Sequence, residues 1–386
     1  MIDYLVIGGG IAGASAGHHL AAYGTVVLLE MEHVPGQHST GRSAATFSEY
    51  YGGPAVRALT RASRGFLTAP PPGFAEHPLL TPRGALSLCP PGSEDAFDAA
   101  LRDGSEVDPP AEEIDLADLP RYCPVVRPEW CRRAMVKPAA QDLDVAALHQ
   151  GYLRGVRAAG GRVVCDARVR QLRRAGDGWQ VTTDAGEFTA RVVVNAAGAW
   201  ADEVATAAGV RPLGLTPLRR TAFLVDAPAG VPAADWPMVG DVDSTFYFKP
   251  ESGRLLISPC DTSPVPPGDA RPDDLDVAIG AERVQAATTL NIRRVHQTWA
   301  GLRTAAPDDV PVIGPATDAP GFLWMAGLGG YGVQTSPAAG ALLAALAVDA
   351  PPPVDPTPLS PARLTRPATR TAPAPRNGVD HQVGGA

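Results

Sequence analysis

Apolar residues at the start of the chain form two short runs on either side of an alanine-rich stretch. The runs cover residues 4–7 and 25–29, and neither contains a charge. Continuous apolar runs of this length are typical of strands that are buried on both faces of a sheet. Residues 11–23 between them are rich in alanine and end at Gly24, which predicts a helix. The chain therefore begins with a predicted strand–turn–helix–strand unit.

The turn of this unit carries Gly8, Gly10 and Gly13 in the spacing Gly-x-Gly-x-x-Gly, and Glu30 ends the second strand. In such units the glycines allow a tight turn, close approach of the backbone to a pyrophosphate, and close helix–strand packing. The anion lies at the helix N-terminus, and the acid accepts hydrogen bonds from ribose hydroxyls. The pattern predicts a dinucleotide site but does not separate NAD from FAD. A glycine-rich turn in an ordinary buried βα unit is the competing interpretation.

The rest of the pattern predicts helices and strands in alternation. Helical spacing of apolar residues predicts helices at residues 56–67, 94–101, 114–119, 143–159, 201–208, 278–289 and 333–348. Short apolar or alternating runs predict strands at residues 85–89, 162–165, 168–173, 179–183, 192–195, 221–225, 246–249, 255–258 and 322–326. Residues 351–386 are dominated by Pro, Thr, Ala and Arg, which predicts a disordered tail.

Two further features concern the cofactor. A second glycine-rich turn precedes the last long helix at residues 327–332, so one lobe is expected to combine distant pieces of the chain. A loop of small polar residues, 38–46, follows the first unit, where an NAD-binding fold would continue with a helix and a strand. Because a flavin ring requires close approach of the backbone, this loop favours FAD.

Composition restricts the function further. The 386 residues are 45% hydrophobic and carry a formal net charge of −8 without a basic run, which argues against binding to nucleic acid or a membrane surface. The apolar run at residues 341–348 is too short to span a bilayer. Five scattered cysteines and the lack of a signal-peptide pattern predict a cytoplasmic protein with reduced thiols. The eight histidines show no metal-ligand spacing, so we expect no metal.

Several segments occur in an order that resembles one enzyme family. They are residues 8–13 with Glu30, the loop 38–45, and the segments 195–200, 299–303 and 329–335. Together they resemble the FAD-dependent D-amino-acid oxidase family, which includes glycine and sarcosine oxidases, over roughly residues 1–348. Residues 38–45, 147–155 and 211–215 are most similar to the D-arginine dehydrogenases within that family.

The resemblance implies an α/β fold with two lobes. Residues 1–76, 138–212 and 300–348 would form a Rossmann-type FAD-binding domain. Residues 77–137 and 213–299 would form a substrate domain with a mixed or antiparallel sheet, and 349–386 a disordered tail. FAD would be held without a covalent bond, because residues 302–308 lack the cysteine that attaches it in some members. The implied cofactor-binding residues are Gly8, Gly10, Ile11, Ala12, Gly13, Glu30, Met31, Ser39, Thr40, Arg42, Ser43, Ala44, Ala45, Val169, Ala197, Gly198, Trp200, Gly329, Gly330, Tyr331, Gly332, Val333, Gln334 and Thr335.

The resemblance also assigns substrate contacts. Arg220 and Arg303 would bind the substrate carboxylate, a role that suits planar, bidentate guanidinium groups. Tyr51 and Tyr247 would hydrogen-bond the substrate or close the site, and the Gly330 carbonyl would accept from the substrate amine. A helix that starts here would place its positive end near the flavin, where negative charge develops on reduction.

The residues themselves support only part of this assignment. Alternation along a strand places Tyr247 and Lys249 on one face. If the strand predicted at residues 221–225 starts early, alternation also places Arg219 and Arg220 on opposite faces, so that only one of the two arginines reaches the site. Without the resemblance, either arginine is also explained as a surface charge, and Tyr247 as a core residue.

Three substrate-side positions depart from the D-arginine dehydrogenases. Ala85 stands where they carry the Glu that binds the substrate guanidinium, Thr46 where they carry a His, and Gly240 where they carry a Val. Burying a cation without its carboxylate is costly. We therefore predict neutral or bulky D-amino acids rather than D-Arg as substrates, unless Glu49 or Asp241 supplies the acid from another direction.

The predicted reaction is oxidative deamination of a D-amino acid. A hydride would pass from the substrate Cα to flavin N5, and the imino acid would hydrolyse to a 2-keto acid and ammonia. The electron acceptor, O2 or a quinone-like molecule, stays open. N-methyl or cyclic amino acids and 2-hydroxy acids are alternative substrates, because an arginine pair would bind all of their carboxylates. Outside enzymes, the alternative is a flavin-binding protein that does not catalyse a reaction.

Overall fold

The computed structural model describes residues 1–365, which form two large sheets, one small sheet and the helices around them. In chain order the strands are β1 (Ile2–Ile7), β2 (Val26–Leu29), β3 (Thr46–Phe47), β4 (Leu80–Pro82), β5 (Ala85–Cys89), β6 (Glu112–Ile114), β7 (Arg133–Lys137), β8 (Gln141–Leu143), β9 (Arg162–Val164), β10 (Val169–Ala175), β11 (Gly178–Thr183), β12 (Gly186–Asn195), β13 (Thr216–Asp226), β14 (Met238–Asp241), β15 (Tyr247–Glu251), β16 (Arg254–Ser258), β17 (Val295–Ala305), β18 (Val312–Pro315) and β19 (Phe322–Ala326). The helices are α1 (Ile11–Leu20), α2 (Pro54–Thr68), α3 (Glu94–Gly104), α4 (Leu119–Tyr122), α5 (Val145–Ala158), α6 (Ala201–Ala207), α7 (Asp274–Ala287), α8 (Gly332–Ala347) and α9 (Ala362–Thr365).

The first sheet explains why residues 4–7 and 26–29 are apolar. Its order is β10-β11-β12-β1-β2-β9, with β19 parallel to β12 and β18 antiparallel to β19. Val6 and Leu28 pack into the core beneath α1, α5 and α8, whereas Leu5 and Val27 pack into a second core on the opposite face. Because both faces are covered, these positions do not favour charged side chains, and the one charge in β1, Asp3, lies at its partly exposed start.

The second sheet has one apolar face and one polar face. Its order is β17-β13-β16-β15-β14-β5-β7-β6. Val239, Phe248 and Ile257 belong to a core on the side where α7 packs against β13 and β16. Alternate residues of the same strands, Tyr247 among them, point to the other side, where the cofactor loops of the first sheet approach. Strands β3, β8 and β4 form the small third sheet.

This architecture confirms the predicted α/β fold with a second, mixed sheet. The first sheet draws its strands from the ranges that were predicted for the FAD-binding domain. The domain boundaries themselves stay a prediction, and β17 crosses the one placed at residue 300. Among residues 1–365, no helix combines the length and apolar character needed to cross a bilayer, and the cellular compartment stays a prediction.

Three parts of the predicted pattern were incomplete or wrong. Residues 114–119 do not form one helix, because Ile114 ends strand β6, Leu116–Asp118 form a 3-10 helix and α4 begins at Leu119. The pattern did not predict strands β3, β4, β6, β7, β8, β14, β17 and β18. The tail is ordered as far as residue 365, because Leu359 is buried in the first core and the Arg363 guanidinium pairs with Asp308 at 2.7 Å. The remaining predicted tail, residues 366–386, lies outside the described residues.

Candidate active site

A cavity of about 670 Å³ lies where the carboxyl ends of β1 and β2 face the polar side of the second sheet. This volume is well within the range of small-molecule sites. The glycine-rich turn and Glu30 line one end, and Arg220, Tyr247 and Arg303 line the other. The fold therefore joins the predicted cofactor residues and the predicted substrate residues in one site.

The glycine-rich turn has the geometry that a dinucleotide site requires. Gly8 has φ +108°, and a Cβ atom there would lie 2.4 Å from the Ala196 carbonyl oxygen. A Cβ atom on Gly13 would lie 1.8 Å from the Gly8 carbonyl oxygen, so helix and turn meet backbone to backbone. A Cβ atom on Gly10 would meet only the Thr40 hydroxyl, at 3.2 Å. The positions thus differ as the motif predicts, with two set by packing and one open towards the cavity.

Buried polar groups hold this turn in place from both sides. One carboxylate oxygen of Glu30 accepts from Gly9 N–H at 2.8 Å, and the other accepts from Glu32 N–H at 2.9 Å. Burial raises the Glu30 pKa, while these N–H groups oppose the rise. The ring of His149, in α5, donates through Nε2 to the Gly9 carbonyl at 2.8 Å. His149 was not singled out from the sequence, because helical spacing shows that it is buried but not what it contacts.

Two helix N-termini open into the cavity. At the start of α1, Ile11 N–H donates to the Thr40 hydroxyl at 2.9 Å, while Ala12 N–H has no acceptor within residues 1–365. At the start of α8, Gly332 and Val333 line the cavity, and their N–H groups also lack an acceptor in the described chain. Free N–H groups and the helix dipole favour anions. The residues present therefore fit FAD, which carries a pyrophosphate and gains negative charge on its ring when reduced.

The arginines at the other end lack carboxylate partners. Arg220 and Arg303 lie on paired strands, with Arg220 opposite Gly301 and Arg303 opposite Leu218. Arg303 donates to the Tyr51 hydroxyl at 3.2 Å, and the buried Nε of Arg220 has no partner. Neither guanidinium pairs with an acid among residues 1–365. The site therefore holds two positive charges that a ligand carboxylate would neutralise.

Tyr247 and Gly330 lie next to Arg220 and Arg303, and their properties suit these two charges. Burial raises the pKa of Tyr247, although Arg303 and Arg220 oppose the rise, so its phenol stays protonated and can donate a hydrogen bond. A Cβ atom on Gly330 would lie 2.7 Å from the Arg303 guanidinium carbon, so a side chain there would displace Arg303.

Most of the predicted site residues line the cavity, and six do not. Gly13 and Ala45 lie behind it, and Tyr51 and Tyr331 lie beside it with ring centroids 4.8 Å apart. The other two are Gln334 and Thr335. Those that line it are Gly8, Gly10, Ile11, Ala12, Glu30, Met31, Ser39, Thr40, Arg42, Ser43, Ala44, Val169, Ala197, Gly198, Trp200, Arg220, Tyr247, Arg303, Gly329, Gly330, Gly332 and Val333.

Some of these side chains serve the fold. The Gln334 amide accepts from Ser48 N–H and donates to the Thr60 hydroxyl, both at 3.0 Å, and the Thr335 hydroxyl donates to the Tyr331 carbonyl at 2.9 Å. Arg42 lines the cavity, but its guanidinium pairs with Asp269 and donates to the carbonyls of Ala270 and Ala300. Cavity-lining residues that the sequence did not reveal include Ala167, Arg168, Glu203 and Met325.

Glu49 and Asp241, the two acids that could replace the missing pocket carboxylate, do not line the cavity that contains Arg220 and Arg303. Glu49 pairs with Arg64 at 2.7 Å. Asp241 accepts from Thr245 N–H at 2.7 Å, and burial raises its pKa. Both carboxylates are thus engaged within the protein, and neither lines the cavity.

Comparisons with known proteins agree with this geometry. Residues 3–346 match the family described as FAD dependent oxidoreductase. Human mitochondrial dimethylglycine dehydrogenase is 25% identical over 392 residues, which are 94% of this chain and 44% of the relative. The hydrogen cyanide synthase subunit HcnC of Pseudomonas aeruginosa is 30% identical over 276 residues, 66% of this chain and 63% of the relative. The chain thus spans about half the length of these two relatives.

A solved structure agrees in fold. Glycine oxidase from Geobacillus kaustophilus superposes with a TM-score of 0.83 at 23% identity, covering 95% of this chain and 99% of the other. The predicted family and the predicted cofactor, FAD, are confirmed, whereas the special similarity to D-arginine dehydrogenases stays a prediction. The chain belongs to the DAO family of FAD-dependent oxidoreductases.

Proposed function

We propose that the protein catalyses the oxidative deamination of D-amino acids. The observation that carries this proposal is the pair Arg220 and Arg303, two guanidinium groups that line the cofactor cavity without a carboxylate partner in the described chain. A fold places two cations together at such a cost only where a ligand supplies the anion. The carboxylate of an amino acid is such an anion.

The remaining groups suit an amino acid. Tyr247, which keeps its proton, would donate to the carboxylate, and the Gly330 carbonyl would accept from the amine. Bound FAD supplies the electron sink: the substrate Cα gives up a hydride, and the amine lone pair forms the C=N bond of an imino acid. The side chains thus act by holding Cα in a fixed position, which is a proximity effect. Non-covalent attachment of FAD is part of the proposal.

The amine must be neutral to release electrons. Arg220 and Arg303 form no ion pair within residues 1–365, so no carboxylate paired with them would stabilise an ammonium group there. We therefore expect flavin reduction to accelerate as the pH rises and the amine loses its proton.

The substrate side chain would lack a positive charge. Ala85 takes the place of the acid that the resemblance implies, and Glu49 and Asp241 are held by partners within the protein. D-Arg is therefore a poor substrate in this proposal. Neutral or bulky D-amino acids are the class that the sequence favours.

A substrate panel tests the proposal. The FAD-loaded protein would be assayed with a dye as electron acceptor, with D- and L-enantiomers of Ala, Leu, Phe, Glu, Gln and Arg beside sarcosine, proline and lactate. We expect D-amino acids to yield 2-keto acid and ammonia, with kcat/KM for L-enantiomers at least about a hundredfold lower. A tenfold lead of D-Arg over the other amino acids, or turnover of L-enantiomers only, would contradict it.

A second candidate has support from one relative. Human dimethylglycine dehydrogenase is named for an N-methylated amino acid and matches 94% of this chain. The same arginine pair would bind the carboxylate of an N-methyl amino acid. Formaldehyde release from sarcosine or dimethylglycine in the same panel, faster than ammonia release from any D-amino acid, would favour this candidate.

A further inference from the structure

Lys137, at the end of β7, is a partly exposed cation without a partner. Its ammonium group makes no hydrogen bond or ion pair within residues 1–365, and burial lowers its pKa to about 8. Lys249 lies on the same face of the sheet but is paired with Asp142 at 2.9 Å and with Glu251 at 3.4 Å. Lys249 therefore serves as a structural cation, whereas the ammonium group of Lys137, unpaired in the described part of the chain, is free to bind an anionic ligand.

The strand register places Lys137 on the substrate face of the sheet. Lys137 lies opposite Ala85, and Ala85 lies opposite Met238. Two residues along β14 from Met238, Gly240 lies opposite Tyr247. Since side chains two residues apart share a face, all of these positions face the side on which Tyr247 lines the cavity.

The opposite face is settled independently. Val136, Leu86 and Val239 alternate with the residues above and are buried in the core beside α7. Lys137 therefore cannot point towards that core without leaving the regular alternation of β7. Its neighbour on the site face, Met135, packs against Tyr50 in a separate cluster.

Three small residues and one larger one occupy the floor between Tyr247 and Lys137. Gly240, Ser87 and Ala85 carry at most a hydroxymethyl group, and Met238 lies opposite Ala85. Ser87 and Gly240 are partly exposed although their strands are central in the sheet. With strands ~4.8 Å apart, β15 and β7 are separated by about 14 Å. The long side chains of Tyr247 and Lys137 narrow this gap. Of these positions only Tyr247 lines the cofactor cavity, so a substrate side chain that reached Lys137 would extend beyond that cavity along the floor.

One loop touches both ends of this floor. The Tyr50 hydroxyl accepts from Ala139 N–H at 3.3 Å, two residues beyond Lys137. The adjacent Tyr51 accepts from the Arg303 guanidinium at 3.2 Å. The arginine pair and Lys137 thus border one region beneath residues 50–51, with Arg220 and Arg303 at one end and Lys137 at the other.

We propose that Lys137 binds a second anionic group at the end of the substrate side chain, so that dicarboxylic amino acids such as glutamate are the preferred class. This inference rests on the proposed function of the site and replaces the neutral side chain that the sequence favours. Ala85, which is buried, offers Lys137 no acid from the neighbouring strand, and a carboxylate side chain at that position would pair with the lysine. A carboxylate at the same place on the substrate would gain a charge-assisted hydrogen bond.

Turnover of matched substrates tests the inference. For the FAD-loaded protein, we expect kcat/KM for D-Glu to exceed that for the isosteric amide D-Gln by at least tenfold. Lys137→Met should remove this preference while D-Gln turnover stays within about threefold, and Lys137→Arg should retain most of it. Equal turnover of D-Glu and D-Gln by the wild type, or an unchanged preference in Lys137→Met, would overturn the inference. L-Glu and L-Gln are included so that handedness does not affect the result.

A binding experiment separates this inference from the proposed function. Glutarate and pentanoate have the same chain length and differ by one carboxylate, and their binding would be followed by the change in flavin absorbance. Glutarate should bind at least tenfold more tightly to the wild type and no more tightly than pentanoate to Lys137→Met. If no amino acid reduces the flavin, the proposed function fails, yet this pair of ligands still decides the role of Lys137. Equal affinity of the wild type for both ligands would contradict it.

Discussion

Neighbouring cations of the second sheet differ in whether an acid of the protein pairs with them. Arg219 is surrounded by Asp276 at 2.7 Å, Asp273 at 3.4 Å and Asp261 at 3.6 Å. Its neighbour Arg220 points to the other face and forms no ion pair in the part of the chain that the structure describes, although its charge acts on Asp261 and opposes the rise of that carboxyl's pKa. Lys249 and Lys137 repeat this contrast on a single face.

The contrast indicates where a ligand would supply the anion that the protein itself does not provide. A buried cation loses hydration, and folded proteins normally compensate with a carboxylate of their own. Arg219 and Lys249 follow this rule and hold neighbouring elements together. Arg220, Arg303 and Lys137 do not follow it, and all three lie on the face of the sheet that looks towards the cofactor loops. We therefore propose that these unpaired charges mark the substrate site.

The largest expected effect comes from exchanging the two neighbouring arginines separately. Arg220→Met should lower kcat/KM by about a hundredfold or more, since removing one partner of a buried charge pair costs roughly 2–5 kcal/mol at ~1.4 kcal/mol per tenfold. Its Tm should stay the same or rise, because an uncompensated cation disappears. Steady-state kinetics and calorimetry on the same preparations measure both effects.

Arg219→Met is the matched control and should behave in the opposite way. Its Tm should fall by about 3 °C or more, because three carboxylates lose their shared cation. Its kcat/KM should stay within about threefold of the wild type. If both variants lose activity to the same extent, or both lose only stability, the division into paired and unpaired cations is incorrect.

A smaller effect is expected from Gly330→Ala. The added Cβ would lie 2.7 Å from the Arg303 guanidinium carbon. Because this carbon is at the flexible end of a side chain, we expect the guanidinium group to move and the backbone to stay in place. We expect KM to rise about tenfold, a loss of ~1.4 kcal/mol in binding, with Tm within about 2 °C of the wild type. A large fall in Tm with unchanged KM would show that Gly330 serves packing instead.

The two lysines should differ in stability. Lys249→Met leaves Asp142 with only Arg83, at 2.7 Å, and leaves Glu251 without this cation. We expect a destabilisation of about 1–2 kcal/mol, because a pair is broken and one partner remains. Lys137→Met should cause no loss. Urea unfolding of the two variants checks this, and equal destabilisation would remove the contrast between them.

The smallest kinetic effect is expected from Tyr51→Phe. The variant removes the hydroxyl that accepts from Arg303, a bond worth roughly 1.5–3 kcal/mol at most because the guanidinium is charged. Tyr51 is 40% exposed, so water can replace much of that bond. We expect kcat/KM to fall between twofold and tenfold. A fall larger than that of Arg220→Met would give Tyr51 a direct part in the chemistry.

The cofactor end of the site could be predicted from the sequence because its signals are local. Gly8, Gly10, Gly13 and Glu30 lie within one βαβ unit, and packing on both sides makes its strands apolar. Arg219 and Arg220 lie on opposite faces of the sheet, as predicted, because consecutive side chains of a strand alternate between its two faces.

The substrate end depends on register between distant strands. Lys137 meets Ala85 across 52 positions of the sequence, through strand β7, which was not predicted. Its run, Arg133–Lys137, mixes charged and apolar residues, so it lacks the continuous apolar pattern of β1. The order of residues 349–365 was missed for a related reason, because Val354, Leu359 and Leu364 pack against cores that distant elements build.

The central claim is that Arg220 binds the substrate carboxylate, and a cycle of anaerobic flavin reduction tests it most directly. Whichever of D-Glu and D-Leu reduces the flavin faster would be compared with its decarboxylated amine, in the wild type and in Arg220→Met. The account predicts that the carboxylate increases the rate of reduction over the dissociation constant by at least about a hundredfold in the wild type and by less than about fivefold in the variant. An equal contribution of the carboxylate in both proteins would contradict it.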